Sequence, residues 1–360
     1  MDTLTHALSG ALLARATAPA PGPAVIPLRR RIALGAMAAA FPDIDVVVSL
    51  GSPLSYLHHH RGVTHSLVML AVWTALLAWL CTRVWRNDAN KGLGWRAYAG
   101  IIAWGIGAHI AGDWITSFGT MVFAPLSDWR AALSITFIID LWFSGIILAG
   151  LLASWLWRKS RHARWPAITS LAVLCGYVVF QFVQQQRAIE FGEQFVRQAG
   201  LRDARVSALP RPVSPFNWMV VVETEDRYHY SLVSLSRREA PRPAPGAGFL
   251  SRLSAPYLPR RQAQWVVAQR WGVAPQSADY TLAREVMAHP QFAFFRWFAQ
   301  YPALYRVDTG NPHTCVWFQD LRFFTPGRAA WPFRYGMCRE SGAEWRAFEL
   351  LSDNTTLPVY

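Results

Sequence analysis

Histidine and aspartate side chains in the first third of the chain are the groups best suited to chemistry. The candidate metal ligands are His6, Asp43, Asp45, His60, His65, His109 and Asp113. His109 and Asp113 are four residues apart, so on a helix they share a face and can bind one cation together. Asp43 and Asp45 can share a site if the helix ends near Pro42 and the chain continues extended. Imidazole and carboxylate ligands without thiolate suit zinc, with manganese and iron as the other options.

The number of candidate ligands indicates more than one ion. Seven ligands exceed the needs of one tetrahedral ion, so the sequence predicts two or three zinc ions. Clustered ions suit hydrolysis, because they lower the pKa of a bound water and stabilise the attacking and leaving oxygens of a phosphoester. Arg61, Thr64 and Thr116 are predicted to contact the non-bridging phosphate oxygens. Asp140 is predicted to lie behind the ligands and orient a histidine, with a purely structural carboxylate as the equal alternative.

Each of these assignments has a structural alternative. Asp45 could cap a helix, and Arg61 could anchor the chain at the lipid headgroups. His109 and Asp113 could form a plain ion pair between helices. Ionisable groups inside a membrane segment cost roughly 2.5–3.5 kcal/mol each on insertion scales, so their presence asks for a function. We therefore favour the metal site over these alternatives.

The elements that must position these residues are apolar. Hydrophobic residues make up 52% of the chain and charged residues 16%, against roughly 25% charged residues in a typical soluble domain. Six segments approach the roughly 20 residues that cross a bilayer: 4–16, 32–50, 63–80, 98–115, 134–157 and 165–183. We predict an all-α multi-pass membrane domain of about six helical segments over residues 1–185. A small α+β domain is predicted for residues 186–360, where the runs from Trp218 and Tyr228 indicate a β-hairpin.

The positions of arginine and lysine predict the orientation of the membrane domain. Basic residues cluster at 29–31, 83–96 and 158–164, which should therefore be cytoplasmic loops. All candidate ligands then fall on the outer side, and the C-terminal domain lies in the periplasm beside a bacterial inner membrane. Cys315 and Cys338 could form a disulfide there, or be two independent small residues. The N-terminus lacks a basic region before its apolar run, so no cleaved signal peptide is expected.

Composition also limits the partners. The formal net charge of +13 comes almost wholly from arginine, and the sequence shows no basic stripe or zinc finger, so no nucleic acid is expected. The expected partners are membrane lipid and an amphiphilic or lipid-linked substrate. Two other functions stay open. A metal-binding transporter would need ionisable residues in both halves of the membrane, and a non-catalytic scaffold with a structural metal would have a closed coordination shell.

Five short motifs carry a resemblance to a known family. They are Thr5-His6-Ala7-Leu8-Ser9-Gly10, Pro42-Asp43-Ile44-Asp45, His60-Arg61-Gly62-Val63-Thr64-His65-Ser66, the run 105–113 that ends in His109-x3-Asp113, and Thr116-Ser117-Phe118-Gly119-Thr120. In these motifs the sequence resembles the YdjM-like family of inner-membrane metal-dependent hydrolases. Their order is also distantly similar to zinc-dependent phospholipase C and P1-type nucleases, although the downstream ligand pair of that group is not evident. The resemblance implies metal-dependent hydrolysis of a phosphoester.

Overall fold

The chain folds into two units. A computed structural model describes residues 1–20, 22, 25–50, 52–160, 162–242, 246–310, 312–326, 331–352 and 354–359. The first unit comprises Met1–Leu50 and His58–Val183, and the second comprises Gly51–Leu57 and Gln184–Tyr360. The main division therefore lies close to the predicted boundary at residue 185.

Helices make up most of the chain before residue 200. They are α1 (Thr3–Ala16), α2 (Leu28–Ala40), α3 (Pro53–His59), α4 (Leu70–Val84), α5 (Trp95–Trp114), α6 (Leu141–Leu156) and α7 (Trp165–Ala199). Short 3-10 helices cover Phe41–Leu50, Val63–His65 and Arg86–Lys91. Aspartate side chains cap two of the helices. Asp2 accepts a hydrogen bond from the Thr5 amide of α1 at 3.0 Å, and Asp140 accepts from the Trp142 amide of α6 at 2.9 Å.

Glycines let α1, α2 and α5 approach closely. A Cβ at Gly10 of α1 would collide with the carbonyl oxygen of Gly35 in α2. A Cβ at Gly35 would lie 2.6 Å from the Cβ of Ala14, and a Cβ at Gly105 of α5 would lie 2.8 Å from that of Ala38. Real Cβ atoms do not approach this closely, so these crossings require glycine. They fix α1, α2 and α5 as one closely packed group.

The prediction of an all-α multi-pass membrane domain with about six segments is wrong. Among the described residues, α7 is the one helix that is long and apolar enough to cross a membrane by itself. A second span would need Pro53–His65 and Leu70–Val84, which are bent by 75° against each other, to act as one broken span. The predicted orientation relied on six alternating segments, so it is no longer supported.

Helix length explains why most of the predicted segments fail as membrane spans. α1, α2 and α4 have 14, 13 and 15 residues. At 1.5 Å per residue such helices cover about 20–23 Å of a hydrocarbon core that is roughly 30 Å thick. The predicted segment 32–50 changes to a 3-10 helix at Phe41, and segment 134–157 becomes helical only at Leu141. Leu12 of α1 and Ala39 of α2 are fully buried, whereas α4 and α6 keep exposed apolar side chains such as Leu76 and Leu148.

The second unit is rich in β-strands, and its extent is close to that of the small α+β domain that was predicted. Its strands are β1 (Arg205–Pro210), β2 (Asn217–Glu223), β3 (Arg227–Ser234), β4 (Leu258–Pro259), β5 (Trp265–Gln269), β6 (Pro302–Thr309), β7 (His313–Asp320), β8 (Tyr335–Glu340), β9 (Arg346–Leu350) and β10 (Thr356–Pro358). Its further helices are α8 (Phe249–Ser254), α9 (Ala278–Ala288) and α10 (Ala293–Phe298), with 3-10 helices at Pro290–Phe292 and Leu321–Phe323.

These strands form two five-stranded sheets. In the first sheet the order is β1-β2-β3-β4, with β5 also paired to β3, and in the second it is β10-β9-β8-β7-β6. The predicted hairpin is confirmed as β2 and β3, which pair antiparallel with Trp218 opposite Val233. Both faces of β2 are buried, because Met219 packs with Tyr228 on one face and Trp218 packs with Ala188 on the other. A strand buried on both faces explains the continuous apolar run in β2.

A disulfide links two neighbouring strands of the second sheet. Cys315 on β7 and Cys338 on β8 stand opposite each other in the register, and their sulfur atoms are bonded at 2.06 Å. Of the two alternatives that the sequence left open, the structure has the bridged pair. Disulfides persist in oxidising compartments outside the cytoplasm.

Replacing Gly10 or Gly35 with alanine should destabilise the protein, because the added methyl group meets backbone that cannot move aside. Overpacking of this kind typically lowers the free energy of unfolding by about 1–3 kcal/mol. Gly107→Ala in α5 is the matched control, because a Cβ there would meet nothing within 4 Å. Thermal unfolding of the detergent-purified chain measures all three variants. Equal unfolding temperatures for Gly10→Ala and Gly107→Ala would contradict the close crossing.

Candidate metal centre

Four side chains from three elements converge in the first unit. Asp43 lies on the 3-10 helix that follows α2, His65 ends the 3-10 turn before α4, and His109 and Asp113 lie one turn apart on α5. One ligand atom from each lies within 4.8 Å of the other three, so these residues could hold a metal ion. The side chain of Asp43 is 14% exposed, whereas the other three are completely buried. We call these residues the four-ligand group.

The spacing within the four-ligand group suits a small cation. Nε2 of His65 lies 2.9 Å from Nε2 of His109. Oδ2 of Asp113 lies 3.2 and 3.4 Å from these two nitrogens, and Oδ1 of Asp43 lies 3.7 and 3.6 Å from them. Ligand atoms around a tetrahedral zinc ion, with bonds of about 2.0–2.1 Å, are themselves ~3.3 Å apart. The residues present therefore fit a zinc-sized ion.

Hydrogen bonds behind the two histidines turn Nε2 of each ring toward the centre of the group. Nδ1 of His109 donates to the carbonyl oxygen of Ala39 at 2.6 Å, which leaves Nε2 as the lone-pair nitrogen of the neutral ring. Nδ1 of His65 lies 3.2 Å from Oδ2 of Asp45. A carboxylate or carbonyl behind the ring is typical of histidines that bind metals, because it fixes the tautomer and the ring orientation.

The carboxylate of Asp113 has one satisfied oxygen and one unsatisfied oxygen. Oδ1 lies 3.0 Å from Nη2 of Arg61 and 3.1 Å from Nε2 of His6, and it also contacts the amino group of Met1. Oδ2 is buried without a hydrogen bond. Burial raises the pKa of this carboxyl, but the positive charges of Arg61 and of the N-terminal amino group, together with its other partners, hold the pKa well below its usual range. A buried anionic oxygen without a partner is costly, and a bound cation would satisfy it.

Asp43 and His6 complete the electrostatics around the group. Oδ2 of Asp43 accepts a hydrogen bond from Thr3 at 2.6 Å. Burial raises the pKa of Asp43, but hydrogen bonding to His65 and the nearby His109 lower it to about 2. His6 stacks on His109 with ring centroids 3.6 Å apart. Burial, followed by the neighbouring His109, lowers the pKa of His6 to about 3, so its ring is neutral at neutral pH.

The turn that carries His65 has an unusual backbone. Arg61 has a φ of 61°, in the left-handed region that few non-glycine residues adopt. A Cβ at the following Gly62 would lie 2.7 Å from the carbonyl oxygen of His59. Asp45 holds this turn, because its two carboxylate oxygens lie 2.9 Å from the Arg61 amide and 2.9 Å from Nδ1 of His60. The strained turn is therefore fixed by the same carboxylate that orients His65.

Comparison with known proteins identifies the family. The family model described as "YdjM inner membrane protein" matches residues 1–188, about half of the chain, including the whole four-ligand group. This chain belongs to the YdjM family. It is also 24% identical over 236 residues to "Uncharacterized protein YfhP" of Bacillus subtilis (strain 168), an alignment that covers 64% of this chain and 67% of that protein. No solved structure matches significantly.

Membership of the YdjM family confirms the resemblance that the motifs indicated. It also places the protein among inner-membrane proteins, as the composition predicted. The more distant similarity to zinc-dependent phospholipase C and P1-type nucleases is not borne out by a structural match and stays a prediction.

The seven predicted ligands of this YdjM-family protein separate into two sets. The first set is the four-ligand group itself. The second set lies around it and consists of His6, which contacts Asp113, Asp45, which contacts His65, and His60, which contacts Asp45. Direct coordination by the second set, the count of two or three ions and the choice of zinc stay predictions.

The other predicted site residues support the group or lie apart from it. Nη1 of Arg61 donates to Thr116 at 3.0 Å, and Thr64 donates to Asp45 at 3.1 Å. Asp140, predicted to orient a histidine ligand, instead caps α6 and accepts hydrogen bonds from Tyr177 and Gln181 of α7. Its hydrogen bonds in the described part of the chain link two helices, so the structural alternative holds for this carboxylate.

Two contributors to the site were missed in the sequence. Thr3 donates to Asp43, and the carbonyl oxygen of Ala39 accepts from His109. The last four carbonyl groups of a helix lack partners within it, and α2 ends at Ala40. The predicted helix end near Pro42 was therefore a usable signal for a free carbonyl beside the site. No comparable signal marks Thr3, whose role depends on how α1 packs.

Removing both central imidazoles should abolish metal binding. We expect at least one metal ion per wild-type chain and nearly complete loss in a His65→Ala/His109→Ala variant, because a compact site does not survive the loss of half its ligands. His313→Ala, at an exposed position of the second unit, is the matched control. Elemental mass spectrometry of the detergent-purified chain measures the content. Undiminished metal in the double variant would exclude this site.

Asp45→Asn should weaken metal binding without removing the site, because Asp45 contacts Nδ1 of His65 rather than the centre of the group. Loss of such a supporting carboxylate typically lowers metal affinity by about 10–100-fold. At saturating metal the variant should still reach the wild-type stoichiometry. Competition with a chromogenic chelator measures the affinity, with Asp140→Asn as the control. A lowered stoichiometry at saturation would instead show that Asp45 is itself a ligand.

Proposed function

We propose that this YdjM-family protein is a metal-dependent hydrolase that cleaves a phosphoester in a lipid or lipid-linked substrate. The observation that carries the proposal is a pair of unsatisfied buried atoms on two side chains that touch. In the described part of the chain, Oδ2 of Asp113 has no donor and Nε of Arg61 has no acceptor. A cation on the four-ligand group satisfies the first, and an anionic substrate oxygen satisfies the second. A metal ion beside an arginine is suited to binding a phosphoryl group.

The roles of the side chains follow from this arrangement. Asp43, His65, His109 and Asp113 would hold the ion. A zinc ion bound there supplies a Lewis acid that polarises the phosphoester and lowers the pKa of a coordinated water. His6 donates to Oδ1 of Asp113 and so keeps that carboxylate turned toward the group. Because the side chains are positioned before substrate arrives, little reorganisation is needed during the reaction.

Arg61 is the side chain that would contact the substrate phosphate. Its guanidinium carbon lies 4.9 Å from the ring centroid of Phe118, and its Nη1 donates to Thr116. The Thr116 hydroxyl in turn donates to the carbonyl oxygen of Asp113 at 2.8 Å. Thr116 therefore positions Arg61, and Thr64 positions Asp45 and His65. This assignment replaces the direct phosphate contacts that the sequence suggested for the two threonines.

The membrane supports a lipid as the substrate class. α7 carries exposed apolar side chains such as Val173, Val179 and Phe182, as expected of a helix in contact with lipid. The basic residues at 158–164 precede α7, which favours a cytoplasmic location for its N-terminal end and an outer location for the chain that follows it. The disulfide between Cys315 and Cys338 fits an outer, periplasmic location of the second unit.

A structural metal ion is the second candidate. Four protein ligands fill the shell of a tetrahedral ion, whereas catalytic zinc sites usually keep one position for water or substrate. The complete burial of His65, His109 and Asp113 favours this alternative. The two candidates differ in the role of Arg61. In the hydrolase a substrate oxygen pairs with Nε of this side chain, whereas a structural ion provides no anionic partner for that atom.

Chelation and an arginine variant together test the proposed function. The full chain in detergent should cleave bis(4-nitrophenyl) phosphate or a fluorescent phospholipid, lose this activity with chelator and regain it with zinc. Arg61→Lys should keep its metal yet lose activity by about tenfold or more, because lysine cannot reproduce the fork of the guanidinium. Arg83→Lys, at an exposed position on α4, is the control. If the metal stabilises the protein but no phosphoester is cleaved, the structural-ion alternative is correct and the hydrolase is not.

A further inference from the structure

A second polar feature of the first unit is a cavity at the N-terminal end of α7. Its volume is about 1040 Å³. Its walls come from the end of α1 and the chain after it, from the start of α2, and from the connection between α6 and α7. No residue of the four-ligand group is among the described residues that line it. The cavity therefore needs an explanation of its own.

The charge of the cavity is strongly positive. Five cationic side chains line it, namely Arg15, Arg31, Arg158, Lys159 and Arg164. Its described lining residues include neither aspartate nor glutamate. Cations gathered around one space repel each other, and a bound anion converts that repulsion into attraction. The composition of the wall thus points to an anionic ligand.

Arg15 gives the most specific indication of this ligand. This residue is 8% exposed, and its guanidinium makes no hydrogen bond or ion pair with the described residues. The neighbouring Arg31, in contrast, donates to the carbonyl oxygens of Ala14 and Thr17 at 3.0 and 3.1 Å. None of its guanidinium nitrogens is fully buried, so they are open to the cavity and can bind an anion there. The planar donors of Arg15 match the oxygens of a phosphate group.

The surroundings of the cavity indicate that the phosphate belongs to a lipid. Trp165, the first residue of α7, lines the cavity and is 51% exposed, and Trp157 is 58% exposed. Exposed tryptophans at the end of a span are typical of the membrane–water interface, where lipid phosphates lie. An apolar groove of about 430 Å³ between α6 and α7 shares Trp165 with the cavity and continues past Ile146 and Val173. The apolar surface of this groove favours an acyl chain and does not favour a free phosphate ion.

We propose that this cavity binds the headgroup phosphate of an anionic glycerophospholipid, with an acyl chain in the adjoining groove. Arg15 binds the phosphate oxygens from the buried side of the cavity. Lys159 and Arg164, both exposed, hold the headgroup from the side of the solvent. Basic pockets of this kind beside membrane helices bind anionic headgroups on the cytoplasmic side. The site is separate from the proposed hydrolytic centre, so the two proposals can fail independently.

Native mass spectrometry of the full chain in detergent tests this site. The probes are phosphatidylglycerol, phosphatidylcholine with the same acyl chains, and sn-glycerol 3-phosphate. Wild type should bind phosphatidylglycerol in preference to the other two. An Arg15→Gln/Arg164→Gln variant should bind phosphatidylglycerol about tenfold more weakly or worse, since two phosphate contacts are lost. A Lys159→Gln/Arg164→Gln variant changes exposed side chains only, and it should also bind phosphatidylglycerol more weakly. This variant keeps the test decisive if the first variant fails to fold.

The control removes the same charge from a different part of the first unit. Arg83→Gln/Arg86→Gln alters exposed residues in the last turn of α4 and in the 3-10 helix that follows it, and its affinity for phosphatidylglycerol should equal that of wild type. Equal losses in the control and in the cavity variants would overturn the proposal, because net charge alone would then explain binding. Equal affinity for phosphatidylcholine would overturn it as well. Binding of sn-glycerol 3-phosphate as tight as that of the lipid would show a phosphate site without the acyl groove.

Discussion

The arrangement of the first unit depends on compensating the charge of the buried carboxylate of Asp113. A fully buried carboxylate is stable only when positive charge or hydrogen-bond donors surround it. The donors to its Oδ1 come from separate parts of the chain: the amino group of Met1 and the ring of His6 at the start of the chain, and Arg61 on the turn before α4. One carboxylate therefore joins three elements that are distant in sequence. These partners satisfy Oδ1 and leave Oδ2 to an ion, so stability and metal binding draw on the same atoms.

The charges can meet only because the backbones approach closely. Aspartate and histidine are short side chains, so their helices must nearly touch before the ligand atoms come within bonding distance of one ion. Gly10, Gly35 and Gly105 allow that approach between α1, α2 and α5. Gly112 has the same role within the site, since a Cβ there would lie 3.1 Å from Cε1 of His6. The glycines and the ligands are thus two parts of one requirement, and neither explains the site alone.

The sequence predicted features that depend on a short stretch of chain, but it did not predict contacts between distant elements. The spacing of His109 and Asp113 predicted a shared face correctly, because a helix carries that geometry without help from other elements. The role of Asp45 depended on how a 3-10 helix faces the turn at Arg61, which no local pattern records. Asp140 lies inside the predicted segment 134–157, so its role as a cap follows only from the observed start of α6 at Leu141.

The failure of the multi-pass prediction has a more general cause, which α1 illustrates. Apolar composition shows that a helix is removed from water, but a neighbouring protein surface removes it as well as lipid does. α1 has the buried polar side chains of His6 and Arg15 near its two ends, about 13 Å apart along the axis at 1.5 Å per residue. A helix surrounded by hydrocarbon would leave both groups without partners. Packed against α2, α5 and α6, it directs His6 to the metal group and Arg15 to the basic cavity. His6, one of the polar residues that suggested a membrane site, is therefore also a residue that requires α1 to be enclosed by protein.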